Sequence, residues 1–98
     1  MEFLVEIEFS LPDDLTPSER AALLDAESQR ARELIEQGII KRIWRIPGRR
    51  ANVGIWECDD ASALHDALAS LPFFPWMDIN VRALAQHPDE RAESGRRS

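Results

Sequence analysis

Glu27 lies four residues after Leu23, three after Leu24, four before Ala31 and seven before Leu34. At helical spacing these positions share one stripe, so Glu27 points toward whatever that stripe packs on. An ionised carboxylate there is costly unless it is paired or opens on a cavity. Its fate is a raised pKa or a cationic partner. A carboxylate in an apolar pocket can act as general base toward a carbon acid. The competing reading is a stripe-edge glutamate that reaches water.

A second group follows. Lys41, Arg42, Arg45, Arg49 and Arg50 fall within ten positions, with Asn52 just beyond them. A planar guanidinium fork suits a carboxylate, so this local excess fits either one anionic small molecule or a solvated hairpin. Asn52 sits among β-formers, as a pocket amide or at an edge. Trp44 and Trp56 could line a pocket or stack across the hairpin. His87, just before a proline, could reach a partner's pocket or decorate a loop. His65 reads as a half-buried structural residue. The run Phe73-Phe74-Pro75-Trp76 reads as core or subunit contact.

Other chemistries find little support. Two isolated histidines lack ligand spacing, so no metal is expected. The single cysteine, Cys58, cannot form an internal disulfide. The acids beside it raise a thiol pKa, which argues against a nucleophile. Glycines occur only at 38, 48, 54 and 95, so there is no phosphate-cradling loop and no expected cofactor.

The elements that must position these residues follow from pattern. Glu2 to Phe9 alternates with period two, as a strand does. Thr16-Pro17-Ser18-Glu19 is a capping box with proline in the first turn, opening a helix that runs to about Gln37 and stops at Gly38. Its stripe reads Leu23/Leu24, Ala31, Leu34/Ile35. Ile39–Ile46 and Ala51–Glu57 form a hairpin around Pro47-Gly48-Arg49. Asp59 or Asp60 caps a second helix with stripe Ala61, Leu64, Leu68 and Leu71, which Pro72 ends. Met77, Ile79 and Val81 mark a fourth strand. The order βαββαβ is the ferredoxin-like α+β arrangement, an antiparallel sheet with two helices on one face. The other face needs a cover, and a second copy of the chain is the expected one, giving a homodimer with facing sheets. Residues 1–90 read as a single domain and 91–98 as a disordered polar tail.

The chain totals bound the rest. Its 98 residues allow one domain, and 44% hydrophobic content gives it one modest core. A net charge of −6 makes it a poor binder of phosphate backbones, so nucleic acid is not an expected partner. The opening residues Met1 to Glu6 carry acids where a signal peptide needs bases. No apolar run approaches the roughly 20 residues that span a bilayer. A cytoplasmic protein without membrane partners is expected.

Two stretches carry a resemblance. Ile43-Trp44-Arg45-Ile46, then Gly48, then Ala51-Asn52, resembles the LWRI.G.YAN stretch of muconolactone Δ-isomerases. Leu64-His65-Asp66 with Leu71-Pro72-Phe73-Phe74-Pro75-Trp76-Met77-Asp78-Ile79 resembles their LHD…LPLFPYMDI stretch, and His87-Pro88 matches the closing HP. The similarity spans about residues 1–90. It implies a ferredoxin-like fold, dimers that stack into larger rings, and no cofactor. It also implies a reaction of aromatic-compound breakdown, the β-ketoadipate pathway, in which the double bond of a small lactone bearing a carboxymethyl group moves. The family's base falls on Glu27 and its pocket asparagine, which hydrogen-bonds the lactone oxygens, on Asn52. Arg50 or Arg45 is then the anchor for the substrate carboxylate, with Trp44 and His87 as further contacts. In one place the chain departs from the family: Arg50 stands where tyrosine is usual. Its permanent charge could hold the substrate carboxylate, or pair with Glu27 and lower its pKa. A related lactone isomerase or dehalogenase, or a ligand-binding dimeric module without catalysis, are the other expectations.

Overall fold

A computed structural model describes residues 1–91. The chain forms β1 (Glu2–Phe9), α1 (Pro17–Glu36), β2 (Ile40–Arg45), β3 (Ala51–Glu57), α2 (Ala61–Ala69), a 3-10 turn (Phe74–Trp76) and β4 (Met77–Leu84). A helical turn over 88–91 follows, closed by the Arg91 amide donating to the His87 carbonyl at 3.1 Å. Of the expected disordered tail, Arg91 belongs to this turn and residues 92–98 lie outside the described residues.

The four strands are antiparallel in the order β2-β3-β1-β4. Alternation in β1 divides the sheet into two faces. Phe3, Val5 and Ile7 are buried, and register carries their face across to Trp56, Gly54 and Asn52 of β3 and to Ala83, Val81 and Ile79 of β4. Leu4, Glu6 and Glu8 face the other way with Ile55, Val53 and Ala51. Core residues come from the first face and from the helices: Phe3, Val5, Ile7, Ile40 and Trp56 pack with Leu34 of α1 and with Leu64, Ala67, Leu68 and Leu71 in and after α2. Both helices therefore cover one face, which is the ferredoxin-like architecture.

Local chemistry sets the ends of α1. The Glu19 amide donates to Thr16 Oγ1 at 3.1 Å and the Thr16 amide to Glu19 Oε1 at 2.9 Å, a complete capping box. Gly38, at φ +77°, ends the helix in a conformation that favours glycine. The stripe is narrower than the sequence suggests. Leu34 is buried and Leu23 and Ala31 are half-buried, but Leu24 and Ile35 are about half exposed, at 46% and 45%. Each sits one position, roughly 100° of rotation, off the line along which the helix meets the sheet. On α2, Asp60 provides the cap, accepting from the Ala63 amide at 2.8 Å, and Ala61 is exposed in the first turn.

The hairpin between β2 and β3 has two features that position the site. Ile46-Pro47-Gly48-Arg49 closes with the Arg49 amide donating to the Ile46 carbonyl at 3.2 Å, and Gly48 at φ +78° supplies the third position of a type II turn. The second is a register irregularity in β2 between Ile40 and Arg42. Simple alternation from Ile40 would turn Arg42 and Trp44 toward the helices. After the irregularity it is Ile43 and Arg45 that lie opposite Gly54 and Asn52.

Candidate active site

Glu27 extends from the sheet-facing line of α1 and is half-buried. Its Oε1 accepts a hydrogen bond from the Phe73 backbone amide at 2.8 Å. That amide is available because of what surrounds it. The amides of Ser70 and Leu71 turn back to α2, Pro72 has no N–H, and the Phe74 amide donates to the Leu71 carbonyl. The Phe73 N–H is thus left over at the end of α2, and Glu27 satisfies it. Burial pushes the Glu27 carboxyl above its ordinary value, and the Phe73 hydrogen bond offsets part of that rise. Among the described residues no cationic side chain pairs with it. The anticipated alternative of an Arg50–Glu27 pair is not formed.

Asn52 lies on the same side of the sheet and toward the same end. Phe73 connects the two. Its ring packs on Phe9, with centroids 5.0 Å apart. Phe9 continues the helix-facing set of β1 two residues beyond Ile7, which is the cross-strand partner of Asn52. Arg45 is the partner of Asn52 on β2 and is exposed. The Phe9 amide donates to the Arg50 carbonyl at 3.1 Å, which carries the β1–β3 register one residue further and sets exposed Arg50 opposite Phe9. The carboxylate, the amide and two guanidinium-bearing residues thus share the helix-facing side of the sheet at its hairpin end.

Other expected contacts lie elsewhere. Trp44 is on the outer face opposite Val53, with the Arg42 guanidinium over its ring at 4.9 Å; the β2 irregularity moved it there. Arg49 is also off the site, bonded to Glu8 of the outer face at 3.0 Å. His87 caps the last helical turn, its Nδ1 accepting from the Asp89 amide at 3.1 Å, and is exposed. His65 is exposed rather than half-buried, its ring edge-on to Phe74 at 6.0 Å. Burial and the adjoining acids raise the Cys58 thiol, in keeping with an unreactive cysteine.

A depression of about 190 Å³ also touches this end of the sheet, lined by Glu6, Glu8, Arg49, Asp78, Asn80 and Asn52 among others. Three carboxylates on its wall make it a poor seat for an anionic ligand. Glu27 is not part of it. One contributor escaped sequence reading altogether: the Phe73 backbone amide. Side-chain patterning shows only that Phe73 is apolar, and a free N–H follows from the turn geometry around Pro72.

The comparisons with known proteins bear on the family and the fold. The family model described as muconolactone delta-isomerase matches residues 1–90. The chain belongs to the muconolactone delta-isomerase family. It is 39% identical over 87 residues to muconolactone Delta-isomerase 2 of Acinetobacter lwoffii, covering 89% of this chain and 91% of that protein. It is 38% identical over 88 residues to the muconolactone Delta-isomerase of Pseudomonas aeruginosa, covering 90% and 92%. A crystal structure of muconolactone isomerase superposes with a TM-score of 0.83 at 39% identity, covering 90% of this chain and 92% of that one. Family membership makes this protein an isomerase, and the fold is that of its solved relative.

Proposed function

We propose that this protein moves the double bond of muconolactone to give the 3-oxoadipate enol-lactone, using Glu27 as the base and no cofactor. Glu27 takes a proton from the lactone ring carbon, leaving a dienolate whose charge spreads onto the carbonyl oxygen. Asn52 donates a hydrogen bond to that oxygen as the charge develops. The same carboxyl then returns the proton at the other end of the dienolate, so no atom or electron is gained or lost. Arg45 and Arg50 hold the carboxymethyl group, for which a guanidinium fork is suited. The observation that carries this reading is the half-buried Glu27 carboxylate, without a cationic partner among the described residues and with its pKa raised by burial. A base tuned upward is better matched to work near neutral pH than an ordinary glutamate.

Glu27→Gln keeps the Phe73 hydrogen bond through its amide oxygen but removes the base. Purified protein turning muconolactone over in an ultraviolet assay, with turnover lost in Glu27→Gln, is the expected result. Turnover kept in that variant would overturn the mechanism. A second reading, a related lactone isomerase or dehalogenase, is favoured by one feature: Arg50 in place of the usual tyrosine, on the Asn52 side of the hairpin. A panel of lactones, including chlorinated ones, separates the two.

The assembly we infer is a homodimer through the outer face, built into a higher oligomer. Half-buried Leu4, Val53 and Ile55 and exposed Trp44 on that face support it. Within one chain Trp44 and His87 stand apart from Glu27, so they would reach substrate only across such a contact. No helix among the described residues is long and apolar enough to cross a membrane. A cytoplasmic location goes with the small anionic substrate.

A further inference from the structure

α1 is seated unevenly on the sheet. Leu34 is its one buried side chain, and it lies about two turns beyond Glu27. At the level of Glu27 the helix has only half-buried neighbours, Leu23 and Ala31, to hold it by packing. Two hydrogen bonds to the segment after α2 add to that hold. The Phe73 amide donates to Glu27 Oε1 at 2.8 Å, and Arg30 Nε donates to Ser70 Oγ at 2.9 Å. Residues three apart share one face of a helix, so Glu27 and Arg30 grip the same short segment, 70–73, at its two ends. Ser70 is a fixed anchor. It is the C-cap of α2, and its hydroxyl donates in turn to the Ala67 carbonyl at 2.6 Å. Arg30 is half-buried, and its guanidinium also reaches Glu33 at 3.4 Å; it forms no ion pair with Glu27.

We propose that Arg30 and Ser70 are positioning residues for the base: their bond fixes the turn that carries the Phe73 N–H, and that N–H holds Glu27 Oε1 so that Oε2 is the oxygen presented to the substrate. This rests on the reading of Glu27 given above. A glutamate side chain turns about several bonds, and a base must stand within about 3–3.5 Å of the atom it attacks. The Phe73 bond fixes one oxygen, and the Arg30–Ser70 bond fixes where that N–H stands relative to α1. A displacement of about 1 Å arising away from the reacting atoms can cost on the order of 10²-fold in rate. Charge does not account for Arg30. Segment 70–73 carries no charged side chain, the guanidiniums at the hairpin end are Arg45 and Arg50, and burial and the Phe73 bond are what move the Glu27 carboxyl.

Arg30→Met keeps the apolar stem and removes the donor, and Ser70→Ala removes the acceptor. Each should lower kcat for muconolactone about 5- to 30-fold with KM within about twofold. Each should also move the acid limb of kcat/KM to higher pH, because the Phe73 bond opposes the rise of the Glu27 carboxyl and is loosened. The two losses should not add in the double variant, since either one breaks the same bond. Ser70→Thr keeps the hydroxyl and should restore both quantities. A kcat or an acid limb that stays at its wild-type value, whatever the melting temperature does, makes the pair a structural clamp and overturns the proposal. A further measurement needs no turnover: solvent exchange of the Phe73 amide proton should quicken in Arg30→Met, and an unchanged rate overturns the proposal even if Ser70→Ala fails to fold. Failure of the Glu27 reading is distinct, since it appears as turnover kept in Glu27→Gln with Arg30 and Ser70 intact.

Discussion

The two faces of the sheet treat their carboxylates in opposite ways. On the outer face Glu2 meets Lys41 at 3.1 Å and Glu8 meets Arg49 at 3.0 Å, with all four side chains about half exposed or more. Water and a nearby cation both stabilise the ionised form there, and such pairs are worth about 0–1 kcal/mol. On the helix-facing side Glu27 lacks full access to water and, among the described residues, meets no cation and one backbone N–H. The residue type is the same, and the surroundings decide what it can do. A carboxylate already neutralised by arginine has little reason to take a proton from carbon. One that is partly desolvated and left unpaired does.

The kinetic contrast between the faces is the largest expected effect. Glu27→Gln should lower kcat by about 10²- to 10⁴-fold, the usual contribution of a positioned base, whereas Glu8→Gln should leave it within about twofold. Steady-state rates on muconolactone check both, and equal losses would erase the distinction between the faces. Asn52→Ala comes next. Losing one donor to the developing enolate should cost roughly 10²- to 10³-fold in kcat, with KM changing much less. A loss confined to KM would make Asn52 a ground-state contact.

Gly54→Ala tests the packing beneath the site. A Cβ there would stand 2.7 Å from the Arg42 carbonyl, a backbone atom fixed in the ladder, and 3.4 Å from Trp56 Nε1. The strands must part, and a stability loss of about 1–3 kcal/mol is expected in thermal or urea melts. An unchanged midpoint would mean that β2 yields at its irregularity.

The smallest effect is in pH dependence. The folded pKa of Glu27 lies above the ordinary 4.5, so the fold favours its protonated form. Its contribution to stability is fully present below pH 4.5 and is lost as pH rises through the folded value. Melting temperatures of the wild type and Glu27→Gln, followed upward from acid pH, should diverge in favour of the variant. A constant difference would show that Glu27 is not desolvated. The acid limb of kcat/KM should lie above 4.5 for the same reason.

Much of this was legible in one dimension, because the signals are local. Period two in Glu2–Phe9, the capping box at Thr16, the glycine at 38 and the turn at Pro47-Gly48 each depend on a few adjacent residues, and each element formed where its pattern lies. The position of Glu27 on the helical stripe is equally local, but spacing left open whether it turned inward or reached water, and the packing of α1 made it half-buried. The width of that stripe could not be read from spacing either, since Leu24 and Ile35 are exposed or buried according to how α1 lies on the sheet.

What the tertiary structure decided is which groups meet. One extra residue in β2 turned Arg45, and not Trp44, to the side of Asn52. A leftover amide beyond Pro72 became the partner of Glu27. The indole of Trp56 came to lie over Gly54. Each of these depends on strand register or on a contact between elements distant in the chain. Periodicity reports which face a residue prefers within its own element, and it carries no record of how two elements are set against each other.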